Sequence, residues 1–253
     1  MCLIAFAWNA HPRLRLVLAG NRDEFHARPA APLARWPDAP LIAGRDLEAG
    51  GTWLGVTAAG RCATVTNVRD PRAAQSGLSR GWLVADYLRG DADASAHAQA
   101  LREVADGYRP FNLLTFDAHA AFHLGNRPEP RLQRVTPGVH GLSNADFNTP
   151  WPKTRRLMAC LQAWLAADAT DDLEPLFAAL ADERPAADAE LPDTGIGRER
   201  ERWLSTAFIR GETYGTRAST VLAIEHAGGG RIAERRFEPC GRLDGQTEFT
   251  WNA

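Results

Sequence analysis

Strand-type segments stand at both ends of this 253-residue chain and helix-type segments in its middle. That order restricts the fold to α+β, with early and late strands sharing a sandwich and the central helices packed outside it. The chain opens on two short apolar runs, residues 3–8 and 14–19, split by the turn Asn9-Ala10-His11-Pro12, which reads as a β-hairpin. Residues 26–40, rich in proline and alanine, read as a loop. Residues 41–45 form a strand, and 52–57 with 62–67 a hairpin across Ala58-Ala59-Gly60. Ser79 suits the N-cap of a helix over 80–89, and Asp93 that of a helix over 94–107. Residues 111–116 and 121–124 read as strands, and 131–135 with 139–142 as a further pair. Pro152 fits the first turn of a helix reaching about 167, with Leu157, Leu161, Trp164 and Leu165 on one face. A shorter helix near 171–181, a loop over 184–197 and a helical turn near 198–203 follow. Strands near 205–210, 215–225 and 231–237 close the pattern. No repeat or low-complexity linker interrupts it, so one domain over 1–253 is expected.

With 45% hydrophobic residues the chain can bury a substantial core. A formal net charge of −2 leaves no global basic field, which argues against nucleic acid as a partner. Cys2, Cys62, Cys160 and Cys240 are isolated, with no CxxC pair, so neither a zinc cage nor a disulfide framework is expected, and no metal. No apolar run approaches the roughly 18 residues of a membrane span. Asn9, His11, Arg13 and Arg15 interrupt any leader-like stretch, and a soluble cytoplasmic protein is expected. Gly228-Gly229-Gly230 lacks a P-loop context and reads as a hairpin turn.

The chemistry concentrates at Cys2. A small residue after Met1 favours removal of the initiator, which would leave a thiol and a free α-amine on one residue. An α-amine has a pKa of about 7.7–8.0 and a cysteine thiol about 8.5, so the amine can take the thiol proton near neutral pH. If the opening strands pair antiparallel, Asn21-Arg22-Asp23-Glu24 returns to the sheet end where Cys2 sits. Asn67, Ser143-Asn144 and Arg217 also fall at strand ends. An acidic residue there would orient the Cys2 ammonium, an arginine would favour thiolate, and an asparagine amide could hold a tetrahedral oxyanion. Trp36, Trp53 and Trp151 read mainly as packing residues, and His26 and His140 flank the site segments.

These residues resemble the NRDE family, the bacterial relatives of the eukaryotic transport and Golgi organization protein 2. The carriers are Met-Cys at 1–2, Asn-Arg-Asp-Glu at 21–24, Gly-Gly-Thr-Trp-Leu-Gly at 50–55, Thr-Asn-Val-Arg at 66–69 and Ser-Arg-Gly at 79–81. Leu-Ser-Asn at 142–144, Pro-Trp-Pro-Lys at 150–153 and Tyr-Gly-Thr-Arg-Ala-Ser-Thr at 214–220 complete them. The family looks like a branch of the N-terminal nucleophile hydrolases, which implies a four-layer αββα sandwich. Carried over, the resemblance implies Cys2 as nucleophile, Arg22 and Asp23 as its charged partners and Asn144 as oxyanion donor. Asn67 and Arg217 match more loosely. Asn21, Glu24, Trp53 and Ser143 are the expected substrate-binding residues. The related acylases space their arginine and aspartate three apart, whereas here they are adjacent, so Glu24 is an alternative for the aspartate's place.

Two functional expectations follow. One is an amidohydrolase or acyl transferase acting through an acyl-thioester on Cys2, with no cofactor and a small-molecule amide as substrate. The other, implied by the roles of the eukaryotic relatives, is a carrier of haem or an acyl lipid. Cys2, His26 and His140 are the first haem ligands to test.

Overall fold

The computed structural model describes residues 2–72, 76–167 and 170–252. The opening runs form β1 (Cys2–Trp8) and β2 (Leu14–Phe25), paired antiparallel. Successive strand residues point to opposite faces, and here both faces are dry. Leu3, Ala5 and Ala7 enter one core, while Ile4, Phe6 and Trp8 enter another. Burial on both faces is why these strands read as continuous apolar runs.

Two antiparallel sheets result. The first runs β10 (Gly138–Leu142), β1, β2, β11 (Tyr214–Glu225), β12 (Gly230–Phe237) and β13 (Leu243–Trp251). The second runs in chain order through β3 (Ala30–Arg35), β4 (Leu41–Asp46), β5 (Leu54–Thr57), β6 (Cys62–Asn67), β7 (Phe111–Phe116), β8 (Ala121–Gly125) and β9 (Arg131–Arg134). Ile4, Phe6, Leu18 and Leu222 of the first sheet pack on Val56, Cys62, Leu114 and Phe116 of the second. Burying one such large side chain contributes about 1.5–3 kcal/mol, so this interface fixes how the sheets face one another.

Helices cover the outer faces. The apolar stripe of α3 (Pro152–Ala166), with Leu157, Leu161 and Trp164, joins Leu176, Phe177 and Leu180 of α4 (Glu174–Leu180) on the first sheet. On the second sheet, Leu83, Val84 and Leu88 of α1 (Gly81–Arg89) and Leu101 of α2 (Ala94–Arg102) pack on Ala63, Phe111 and Leu113. A short α5 (Arg198–Trp203) precedes β11. The layers are therefore αββα, the sandwich that the family resemblance implied. No helix among the described residues is long and apolar enough to cross a membrane.

Several local expectations differ from the structure. Residues 30–35 are not loop but β3, where Pro32 is tolerated because an edge strand can spare a ladder bond. Residues 205–210 form no strand, and β13, read as nothing from its mostly polar sequence, is an edge strand. Residues 139–142 do not pair with 131–135: β9 pairs β8, whereas β10 crosses to the other sheet and pairs β1. Ser79 caps nothing, since Arg80 holds the N-cap of α1 without a side-chain bond. Asp93 does cap α2, accepting from the Ala96 N–H at 2.7 Å, but the helix ends at Arg102 and a 3₁₀ turn takes 105–107.

Candidate active site

The strand period sorts the 21–24 segment into two pairs. In β2, Val17 and Ala19 face the α3/α4 layer, while Leu16 and Leu18 face the second sheet. Continuing that alternation, Arg22 and Glu24 turn toward the inter-sheet side and Asn21 and Asp23 toward the helices. In the β1–β2 ladder Cys2 is the direct partner of Arg22, so thiol and guanidinium share one face at the sheet's end. They open into a cavity of about 610 Å³ lined also by Asp23, Glu24, Trp53 and Asn67. That volume lies in the usual range of small-molecule sites.

Cys2 is half-buried. Burial pushes its thiol up and the Asp23 carboxylate adds to that, while a hydrogen bond from the Asp23 backbone and the charge of Arg22 pull it down. The Arg22 guanidinium lies 4.3 Å from the Trp53 ring centroid, a cation–π contact on the cavity wall. Met1, whose removal would expose the Cys2 amine, lies outside the described residues.

The opposite wall comes from the other sheet. Asn67, the last residue of β6, lines the cavity. Asn144 does not line it but stands behind, donating from Nδ2 to the Asn67 backbone oxygen at 3.0 Å and to Asn67 Oδ1 at 3.1 Å. Those bonds fix the Asn67 amide, whose own N–H groups bond nothing among the described residues. Ser143 Oγ donates to the Cys2 carbonyl at 3.1 Å, and the Ser143 carbonyl accepts from Thr66 Oγ1 at 2.8 Å. The 143–144 segment thus stitches β1 to β6.

Asp23 is 1% exposed, accepts from Thr216 Oγ1 at 2.7 Å, and lies within the field of Lys153. Burial raises its carboxyl, while Lys153 and the Thr216 bond oppose the rise. Asp23, not Glu24, therefore stands behind the thiol; Glu24 accepts from the Phe25 N–H on the cavity wall. Lys153 is the chain's only lysine, in the first turn of α3 and 1% exposed. Its Nζ makes no hydrogen bond to a described residue, and burial pushes the amine down to about 8 against the pull of Asp23. Beside it Arg69 and Glu201, 6% and 3% exposed, form an ion pair at 2.5 Å, and Glu201 also ties Thr194 Oγ1. Sequence reasoning assigned no role to Lys153, Arg69 or Glu201. A single lysine among 28 arginines was the available signal for the first.

Other expected site residues lie elsewhere. Asn21 turns into the helix layer, where Nδ2 donates to the carbonyls of Leu180 at 2.9 Å and Ala207 at 2.8 Å, so its amide is committed to packing rather than substrate. Arg217 occupies a β-bulge between Thr216 and Ala218, which turns its guanidinium away to the carbonyls of Phe25, His26 and Arg28. Neither His26 nor His140 lines the cavity. His140 is held on both ring nitrogens, by the Thr136 carbonyl and Asn148 Nδ2, and stacks on Phe147.

Comparison with known proteins agrees with this layout. The family profile described as Transport and Golgi organisation 2 matches residues 1–239. The Transport and Golgi organization 2 homolog of Mus musculus is 32% identical over 93% of this chain and 92% of its own length. The Homo sapiens protein of that name is 33% identical over the same shares. Among solved structures, the mutant C2A conjugated bile acid hydrolase from Clostridium perfringens superposes with a TM-score of 0.51 over 99% of this chain and 92% of that one. At 8% identity that likeness speaks for the fold alone. By the extent of these matches, the chain belongs to the Transport and Golgi organisation 2 family.

Proposed function

We propose that this protein is an N-terminal-cysteine amidohydrolase or acyl transferase acting on a linear amide. The carrying observation is the direct ladder pairing of Cys2 with Arg22 at the mouth of a cavity whose far wall presents the Asn67 amide. With Met1 removed, the Cys2 amine takes the thiol proton and Sγ attacks the amide carbonyl. The carbonyl oxygen becomes an oxyanion, to which Asn67 Nδ2 donates. Asn144 positions that amide rather than donating itself, because both its N–H groups are engaged. Collapse breaks the C–N bond, the Cys2 ammonium returns its proton to the leaving amine, and an acyl-thioester stays on Sγ. Water, or an acceptor amine in the transferase case, then releases the acyl group. Asp23 supplies the negative charge that orients the ammonium, and its backbone hydrogen bond and Arg22 favour the thiolate.

The test is intact-mass analysis of natively expressed protein incubated with N-acyl amides and quenched in acid. Support would be a chain beginning at Cys2 that carries an acyl adduct, with the adduct absent from Cys2→Ala. A chain that keeps Met1 and never acylates would sink the reading. The carrier expectation would then be taken up with direct haem and acyl-lipid titrations.

A further inference from the structure

We propose that Arg80 and Arg109 form an anion-binding subsite on the wall of the Cys2 cavity, so that the substrate bears a carboxylate or a phosphate. This deepens the amidohydrolase reading by naming a substrate class. It rests on that reading only for which bond is cut.

The cavity is lined by six arginines (22, 28, 69, 80, 109 and 200) against the three acids Asp23, Glu24 and Asp46. Most of these charges are already answered. Arg28 pairs with Asp46 and Glu48 at 2.8 Å each, Arg69 pairs with Glu201, and Arg22 lies on Trp53. Arg200 is solvent-exposed. Arg80 and Arg109 remain. Neither makes an ion pair with a described residue, whereas fifteen other arginines of the chain do.

The backbone forces the two cations together. Leu78 bridges Tyr108 in parallel, and the Leu78 N–H donates to the Gly107 carbonyl at 3.0 Å, which sets the approach to Arg80 beside the approach to Arg109. Arg80 spends one N–H on the Pro110 carbonyl at 3.2 Å. The Nε of Arg109 is buried with no hydrogen-bond partner. Burial and then the charge of Arg109 push the Arg80 guanidinium below its ordinary value, while Cys2 and Glu24 pull it back. Two like charges held together in a partly dry wall destabilise the fold unless something of opposite sign lies between them. A guanidinium fork matches carboxylate and phosphate alike, so the shared chemistry is a small oxyanion. Because Arg80 and Arg109 line the same cavity as Cys2, that oxyanion would sit in the cavity that receives the reacting bond.

The test uses Cys2→Ala protein, so that no turnover is needed. Thermal melts are run with inorganic phosphate, pyrophosphate, acetate and succinate at matched ionic strength. The expected result is a saturable rise in Tm that weakens at least tenfold in apparent affinity in Arg109→Gln. It should persist in the control Arg155→Gln, an exposed residue paired with Glu190. Arg80→Gln should lose it too. Should that variant fail to fold for want of the Pro110 bond, Arg109→Gln and Arg109→Lys carry the test. Preference for the phosphates or for the carboxylates assigns the headgroup. A second signature is that Arg109→Gln melts no lower than its parent without anion. No saturable response, or an equal one in Arg109→Gln and Arg155→Gln, overturns the proposal. Saturable binding with no acyl adduct on the intact nucleophile would keep the subsite and defeat the amidohydrolase. Turnover of neutral amides that Arg109→Gln leaves unchanged would do the reverse.

Discussion

Cys2 and Cys62 face the same space between the two sheets, yet their thiols live in different chemistry. Cys62, on β6, is fully buried among Trp8, Phe116 and Ile224, and burial pushes its thiol far up, with only Arg15 opposing. Cys2 suffers the same desolvation at the start of β1 but meets a backbone N–H of Asp23 and the charge of Arg22. The difference is position along the strand. Mid-strand neighbours across a ladder are apolar because they make the core, whereas strand ends carry the polar residues that open to a cavity. A buried thiol is inert by default, and the groups at the sheet's edge are what set Cys2 apart from Cys62.

The largest expected effect breaks the comparison outright. Cys2→Ala should abolish acyl-adduct formation and amide turnover with an unchanged circular dichroism spectrum. Cys62→Ala should keep turnover and lose about 1 kcal/mol of stability in urea melts. Loss of turnover in Cys62→Ala at full folding would reverse the assignment. Next, Asn67→Ala should lower kcat about 10²- to 10³-fold, the cost of one oxyanion donor. Asn144→Ala should follow it, since Asn144 holds the Asn67 amide, and the double variant should then be far less than additive.

Lys153 sharpens the contrast from the side of Asp23. Its amine falls to about 8 in the fold against about 10.4 unfolded, so the unfolded chain binds more protons between those values. The penalty for burying the cation is complete below pH 8 and is relieved as pH rises toward 10.4. Stability should therefore rise by about 3 kcal/mol over that window, and Lys153→Met should lack the rise; urea midpoints across pH 7–10 measure it. Parallel pH profiles for the two proteins would refute the assignment. Asn21→Ala should cost about 2 kcal/mol of stability by orphaning two buried carbonyls, with the rate of Cys2 alkylation unchanged. The smallest effect compares the thiols directly. Peptide mapping after a short iodoacetamide pulse at pH 7.5 should find Cys2 modified at least about tenfold faster than Cys62. Equal rates would mean that the sheet edge gives Cys2 no advantage.

Much of this was legible in the sequence. The opening runs and their turn were enough to bring 21–24 back to Cys2, and the ladder does pair Cys2 with Arg22. The α+β sandwich followed from strands at both ends and helices between, and its αββα layering from the family resemblance. The misreadings share a physical cause. Pro32 hid an edge strand, and the polar β13 hid another, because edge strands need neither full ladders nor continuous apolar faces. Residues 139–142 were close in sequence to 131–135 but bonded to β1, since burial of Leu142 in the inter-sheet core outweighs local pairing. Arg217 stood in a matching motif, yet one bulge turned it to backbone carbonyls.

By itself, the sequence determined the hairpin, the Asp93 cap of α2, the apolar stripe of α3, and which residue types meet at the end of β1, because strand period and turn chemistry are local. Only the tertiary structure decided that Asn144 braces Asn67 across two sheets, that the sole lysine lies within the field of Asp23, and that Arg80 and Arg109 line one cavity. Those juxtapositions join segments that touch only once the inter-sheet core has closed, and no local period encodes them.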